Sequence, residues 1–116
     1  MQWLFQYSDE ARGVPGLGAI DGTCRALPAH VKSPHVGWDE LEISGQTRLF
    51  RGIESGRFVY FTHGYCVPLV EATVAACNYG IPFSAAVERG NLFGVQFHPE
   101  KSGETGLAIL ENFCRC

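Results

Sequence analysis

The sequence has 116 residues, enough for one domain with a modest hydrophobic core. Its hydrophobic fraction of 46% and charged fraction of 18% are typical of a globular protein and exclude a disordered chain. The net charge of -3, with no Lys/Arg cluster, argues against a nucleic-acid partner, and no apolar run approaches the ~20 residues of a membrane span. Because the N-terminus has no signal-peptide features, we expect a cytoplasmic protein.

The cysteines and histidines show no metal-binding or disulfide pattern. Five cysteines are an odd number without C-x-x-C spacing, which predicts reduced thiols: Cys24, Cys66, Cys77, Cys114 and Cys116. The four histidines also lack the spacing of a known metal site, so we expect neither a metal nor another cofactor. Cys66 lies close to His63, which permits a Cys-His nucleophile, but its apolar neighbours favour a small packed thiol.

Short strands and loops are predicted for the first half of the chain. Residues 1–7 are apolar and aromatic with no helix start signal before them, which predicts a chain that begins inside a helix. Ala19–Leu27 predicts a short strand interrupted by the turn pair Asp21-Gly22, and Val36–Ile43 predicts another strand. Loops are predicted for Gly13–Gly18 and Pro28–Pro34, and one short helical turn for Gln46–Gly56.

The second half is denser in strand signals. Arg57–Thr62 is β-branched and aromatic and predicts a strand. Glu71–Cys77 mixes Thr and Val with alanines, and its periodicity leaves strand and helix both open. Ile81–Val87 and Leu92–Phe97 flank Glu88–Asn91, which predicts a hairpin.

A closing helix is predicted for Lys101–Cys116, with Ser102 as its N-cap. One apolar stripe recurs at helical spacing and predicts the face that packs on the core: Leu107, Ile109, Leu110 and Phe113.

His98 and Glu100 form the most informative pair in the sequence, two residues apart around Pro99 and just after an apolar segment. A carboxylate that fixes the tautomer of an imidazole makes it a useful general base. Proline biases the residue before it toward an extended conformation, so both side chains could leave a strand end on the same side. A surface His beside a Glu also occurs by chance, so the pair alone does not decide between catalysis and coincidence.

Two further segments combine a glycine with aromatic and histidine side chains. Tyr65 follows His63-Gly64 at a strand end, which suits either a close approach of a ligand to the backbone or an ordinary turn. Pro34–Trp38 places a tryptophan beside a glycine, where it could be an interface anchor or part of the core.

Together these segments resemble a known family: Pro34–Trp38, Tyr60–Tyr65, Ala85–Asn91 and Gly94–Gly103. They are similar to the glutaminase subunits of imidazole glycerol phosphate synthase, which are class I (triad-type) glutamine amidotransferases. The His-Pro-Glu run is shared across class I amidotransferases, whereas its Lys-Ser continuation and Pro-x-x-Gly-Trp point to this subfamily.

The resemblance implies an α/β, flavodoxin-like domain with a mixed sheet and flanking helices, of which residues 1–116 are the C-terminal part. His98 would be the general base and Glu100 the residue that orients it, while a cysteine attacks the carboxamide of L-glutamine. In the family that cysteine lies in a Gly-x-Cys-Leu-Gly-Met-Gln elbow, whose end resembles Met1-Gln2. We therefore expect a chain truncated just after the nucleophile, with Trp3-Leu4-Phe5 starting a helix, and inactive alone.

The resemblance also implies a substrate site and a partner surface. His63, Gly64 and Tyr65 match the segment that lines the glutamine site, where the family usually has Ser in place of Gly64. Trp38 and Lys101 match positions facing a cyclase subunit with a (β/α)₈ barrel, which would use the ammonia to make imidazole glycerol phosphate in histidine biosynthesis. The alternatives are an inactive fragment and a non-catalytic module that only binds the cyclase.

Overall fold

The computed structural model describes all of residues 1–116 and contains nine strands and one α-helix. The strands are β1 Phe5–Ser8, β2 Ile20–Ala26, β3 His35–Glu40, β4 Glu42–Ile43, β5 Phe58–His63, β6 Tyr65–Cys66, β7 Thr73–Asn78, β8 Pro82–Arg89 and β9 Leu92–Val95. The helix is α1 Gly103–Cys114, and 3₁₀ turns span Gln2–Leu4, Asp9–Ala11 and Pro99–Lys101. No helix is long and apolar enough to cross a membrane, and the cytoplasmic location stays a prediction.

The strands form three sheets, in the orders β1-β2-β6, β3-β5 and β4-β7-β8-β9. Only β1 and β2 pair in parallel, and every other pair is antiparallel. This mixed pairing with a helix confirms the predicted α/β class, although α1 is the one α-helix present. The main core lies between these sheets and α1, and its largest buried side chains include Phe61, Phe83, Leu41 and Ile109.

The predicted helix at Trp3-Leu4-Phe5 is wrong. The helical stretch is a single 3₁₀ turn over Gln2–Leu4, and β1 begins at Phe5, which is fully buried and pairs with Ile20. The backbone carbonyls that a helix would use internally instead accept from the following loop: Leu17 N–H donates to Trp3 O at 2.8 Å and Gly18 N–H to Phe5 O at 3.2 Å. Pairing with this loop and with β2 satisfies the backbone, so no helix is needed.

Most of the strand predictions are confirmed. The β1–β2 register shifts between the Phe5 and Tyr7 pairings, at the position of the predicted Asp21-Gly22 interruption. The ambiguous segment 71–77 forms β7, antiparallel to β8. The predicted hairpin joins β8 to β9, and Arg89 faces Leu92 across its tip.

The apolar stripe predicted to pack on the core is largely outside it. Ile109 is 2% exposed, and Gly106 is the other buried residue of α1. The remaining stripe residues are 38–59% exposed: Leu107, Leu110 and Phe113. Gly106 determines which face of α1 packs inward, because an added Cβ there would overlap the carbonyl oxygen of Pro99. The helix therefore approaches the 3₁₀ turn through its glycine rather than through the leucines.

Glu88 ties the loop after β4 to the β8–β9 hairpin. Its carboxylate accepts hydrogen bonds from Thr47 Oγ1 at 2.6 Å, from Arg48 Nε at 3.0 Å and from the backbone N–H groups of Arg48 and Leu49. Burial acts to raise the pKa of Glu88, but these hydrogen bonds outweigh it and lower the pKa below its ordinary value. Residues 46–50 thus need no helix to be ordered.

Candidate active site

His98 and Glu100 contact each other as the sequence predicts. His98 Nδ1 lies 2.8 Å from Glu100 Oε1, and His98 has an extended backbone with φ -99° and ψ 97°. The two side chains meet because Pro99–Lys101 forms a 3₁₀ turn, not a continued strand. The backbone N–H of Glu100 and the His98 ring lower the pKa of this carboxyl.

This contact fixes which ring nitrogen of His98 can act as a base. A carboxylate only accepts, so the neutral ring carries its proton on Nδ1 and presents the lone pair on Nε2. The side chain is 39% exposed, so Nε2 can reach a group brought to it. The pair therefore has the geometry of a general base and its orienting acid.

Ser102 holds His98 against β5, a role that the sequence did not reveal. Its Oγ accepts from the Tyr60 N–H at 3.0 Å and donates to the His98 carbonyl at 2.6 Å. The His98 N–H in turn donates to the Tyr60 carbonyl at 2.9 Å. Ser102 does occupy the N-cap position of α1, but the expected capping hydrogen bond is not made, since the hydroxyl is engaged by these two partners.

The segment His63-Gly64-Tyr65 connects β5 to β6 and lies next to Gln2 in space. His63 is buried, and its Nδ1 lies 2.9 Å from the Tyr65 carbonyl oxygen. The Gln2 side-chain amide donates to the same carbonyl at 3.1 Å and to Gln96 Oε1 at 3.3 Å. Gln2 thus links this segment to the strand end that leads into His98.

His35 extends this arrangement across the β3–β5 pair, where it lies directly opposite His63. His35 Nδ1 is 2.9 Å from His63 Nε2, and His35 Nε2 is 3.2 Å from Asp39 Oδ2. The His35 ring is stacked between Tyr79 and Phe61. Burial lowers the pKa of both histidines, and Asp39 opposes this at His35. The sequence alone does not reveal this contact, because it depends on the register of β3 and β5.

Trp38 and Lys101 lie on one exposed face. Trp38 is 55% exposed and meets the Tyr60 ring edge-on, with centroids 6.1 Å apart. Lys101 Nζ lies 5.9 Å from the centroid of the same Tyr60 ring. Val36 and Phe58 add exposed apolar surface on β3 and β5. Trp38 is therefore not a core residue, and the two predicted interface residues share one aromatic neighbour.

The buried cysteines do not form a second site. Cys66 is buried and its pKa is raised by that burial, while both nitrogens of His63 contact other groups. Burial also raises the pKa of Cys24 to about 11 and of Cys77 to about 12. A reactive cysteine needs the opposite shift. No group of three or more His, Cys, Asp or Glu side chains could hold a metal ion.

Comparison with known proteins identifies the family. The family model "glutamine amidotransferase class-I" matches residues 16–116. The chain belongs to that family. It is 46% identical over 114 residues to "imidazole glycerol phosphate synthase subunit HisH" of Pectobacterium atrosepticum and of Escherichia coli K12. The protein of the same name from Yersinia pseudotuberculosis is 45% identical. Each match covers 97% of this chain and 58% of the relative.

Membership of the class-I glutamine amidotransferases confirms the predicted resemblance. The matched range contains His35, His63, His98 and Glu100, but the first residues, including Gln2, lie outside the family model's match. The chain spans 58% of the length of these relatives.

Proposed function

We propose that this chain carries the base and orienting residue of a glutamine-hydrolysing site, and that the nucleophile comes from a segment outside residues 1–116. The observation that carries the proposal is the 2.8 Å contact between His98 Nδ1 and Glu100 Oε1, which leaves Nε2 free to take a proton. The family description, glutamine amidotransferase class-I, supports the glutamine-hydrolysing site, and the relatives are named as subunits of imidazole glycerol phosphate synthase.

In each half of the proposed reaction, His98 acts first as a base and then as an acid. Its Nε2 takes the proton of a cysteine thiol as the sulfur attacks the carboxamide carbon of L-glutamine, and it then gives a proton to the departing nitrogen, which leaves as ammonia. Water, activated in the same way, cleaves the glutamyl thioester to glutamate and restores the thiol. Glu100 stabilises the imidazolium that forms in each step. His63, Gly64 and Tyr65 would line the site of the glutamine.

The three buried cysteines of the chain do not suit the nucleophile's role. Cys24, Cys66 and Cys77 are buried with raised pKa values, so their thiolates are disfavoured. We therefore expect purified chain to release no glutamate from L-glutamine. Glutamate release that Cys66→Ala abolishes would contradict the proposal and make Cys66 the nucleophile.

The exposed face of Trp38, Tyr60 and Lys101 is proposed to bind the cyclase subunit that uses the ammonia. Exposed tryptophans are typical interface anchors, and Trp38 and Lys101 both contact the Tyr60 ring. The backbone of Tyr60, on β5, also accepts a hydrogen bond from the His98 N–H. The cyclase, a (β/α)₈ barrel, would make imidazole glycerol phosphate and an aminoimidazole carboxamide ribotide.

A non-catalytic cyclase-binding module is the second candidate function, favoured by the same exposed face. Two measurements separate the candidates. One is pull-down of the cyclase, and the other is glutamate release by the chain extended at its N-terminus with the preceding segment of the E. coli relative, where the family resemblance implies a Gly-x-Cys-Leu-Gly elbow. A glutaminase site requires turnover in the extended chain. Cyclase binding without turnover in that chain would favour the binding module.

A further inference from the structure

Three polar contacts run in a row from β3 to the carbonyl of Tyr65. Asp39 Oδ2 lies 3.2 Å from His35 Nε2, His35 Nδ1 lies 2.9 Å from His63 Nε2, and His63 Nδ1 lies 2.9 Å from the Tyr65 carbonyl oxygen. Both rings are buried, and the His35 ring stacks on the Tyr79 ring with their centroids 3.8 Å apart. The rings therefore cannot turn away from these partners without disrupting the core.

The number of protons in this row does not match the number of contacts when both histidines are neutral. The Asp39 carboxylate and the Tyr65 carbonyl are acceptors only, so each end of the row needs a proton on the facing nitrogen. The contact between the two rings needs one more. Two neutral imidazoles carry two protons, and three are required for all three contacts.

We propose that Asp39, His35 and His63 form a proton relay that positions the Tyr65 carbonyl, and that the number of protons on the relay decides whether His63 donates to it. With two protons, the charged Asp39 carboxylate is the stronger acceptor, so each ring carries its proton on Nε2. His63 Nδ1 then faces the carbonyl with a lone pair. A third proton makes His35 an imidazolium and moves a proton of His63 to Nδ1, which restores the bond to Tyr65.

The buried environment of the two histidines predicts that the third proton binds below neutral pH. Burial lowers the pKa of both histidines, while the charge of Asp39 and its hydrogen bond oppose this at His35. The other groups that face the row are the Cys77 thiol beside Asp39 and the Tyr79 ring, while the neighbouring Glu40 is on the exposed side of β3. None of these groups is a cation, so none would destabilise a charged His35 by repulsion.

The relay connects one end of β3 to the proposed glutamine site. When His63 does not donate, the Gln2 side-chain amide at 3.1 Å is the remaining side-chain donor on the Tyr65 carbonyl. The His63-Gly64-Tyr65 backbone is then held by one side chain instead of two. Asp39 and His35 are thus positioning residues for the substrate segment, a consequence that rests on the proposed function.

The relay is tested by NMR of the 116-residue chain with ¹⁵N-labelled histidine, without L-glutamine, between pH 5 and 8.5. Long-range ¹H–¹⁵N spectra report the tautomer and charge of each ring, and ¹³C labelling of Tyr65 reports its carbonyl. We expect His63 to change from the Nε2–H to the Nδ1–H tautomer on acidification. His35 becomes charged, and the Tyr65 carbonyl shifts, with the same midpoint.

Asp39→Asn provides the decisive variant, because the amide supplies the third proton itself. Asn Nδ2–H can donate to His35 Nε2, so both rings are expected as Nδ1–H tautomers at every pH, and the pH dependence of the Tyr65 carbonyl is lost. Glu40→Gln, the neighbouring exposed carboxylate, is the matched control and keeps the wild-type behaviour.

A single His63 tautomer across the pH range in the wild type would overturn the proposal, as would Nε2–H on His63 in Asp39→Asn. Because no glutamine is present, the tautomers are measured whether or not the chain belongs to a glutaminase. A failure of the proposed function is detected separately, by the glutamate assay.

Discussion

Ser102→Ala tests how strongly the candidate base is fixed to the sheet. The substitution removes one acceptor from the Tyr60 N–H and one donor from the His98 carbonyl, at a side chain that is 2% exposed. A buried polar group left without its partner costs about 1–3 kcal/mol. We expect the free energy of unfolding to fall by that amount, mostly because the Tyr60 N–H loses its partner. The His98 carbonyl still accepts from the Lys101 N–H at 3.0 Å.

Ser55→Ala is the matched control, since it deletes the same pair of hydrogen bonds at the surface. Ser55 Oγ accepts from the Ile43 N–H at 2.8 Å and donates to the Ile43 carbonyl at 3.2 Å, but the residue is exposed. Water can replace the lost hydroxyl there, so the expected cost is about 0.5 kcal/mol. Urea unfolding followed by circular dichroism measures both variants. Equal costs would refute the reasoning that burial makes the Ser102 bonds important.

The remaining predictions concern packing, charge, the substrate segment and the partner surface. Gly106→Ala should lower the free energy of unfolding by about 1–3 kcal/mol in urea titrations, because the new Cβ overlaps the Pro99 carbonyl. Helix propensity alone favours alanine, so a stabilised variant would contradict this prediction. Since the pKa of Glu88 is lowered, its contribution is present above the unfolded-state pKa of ~4.3 and lost as pH falls through the folded-state value. The free energies of unfolding of the wild type and Glu88→Gln should therefore converge as the pH falls below about 4.3, and not run parallel. Gly64→Ser should change thermal stability by less than about 0.5 kcal/mol, because an added Cβ meets only one side-chain atom, at 3.6 Å; a larger loss would mean that the backbone requires glycine. Trp38→Ala should weaken capture of the cyclase in pull-downs by more than tenfold and leave the free energy of unfolding unchanged, because the side chain is exposed. Full capture of the cyclase by this variant would exclude this face as the interface.

The strands of the second half were predictable because their signals are local. β5 is aromatic and β-branched, and the β8–β9 hairpin has turn residues between two apolar runs. The 71–77 segment was ambiguous because alanine-rich sequence has no clear period, and its pairing with β8 settled it as a strand.

The start of the chain and the face of α1 were predicted wrongly, and each depends on a non-local contact. The carbonyls of residues 3 and 5 are satisfied by the loop at residues 16–18, which sequence periodicity does not reveal. The orientation of α1 is set by the contact of Gly106 with Pro99, so the apolar stripe did not predict which side faces the core.

In the candidate site, too, the local contact was predictable from the sequence and the non-local contact was not. The contact of His98 with Glu100 was predictable, because two residues joined by a proline-started turn have little freedom. The contact of His35 with His63 was not, since the residues are 28 positions apart and meet only through the β3–β5 register.

Glutamate release by the N-terminally extended chain, compared between the wild type and His98→Ala, tests the central claim most directly. General base catalysis contributes about 10²–10⁴-fold, so the variant should lose at least about a hundredfold in kcat. His30→Ala, at an exposed histidine outside the site, should keep the wild-type rate. A His98→Ala variant that hydrolyses L-glutamine at the full rate would contradict the role of His98 as the base.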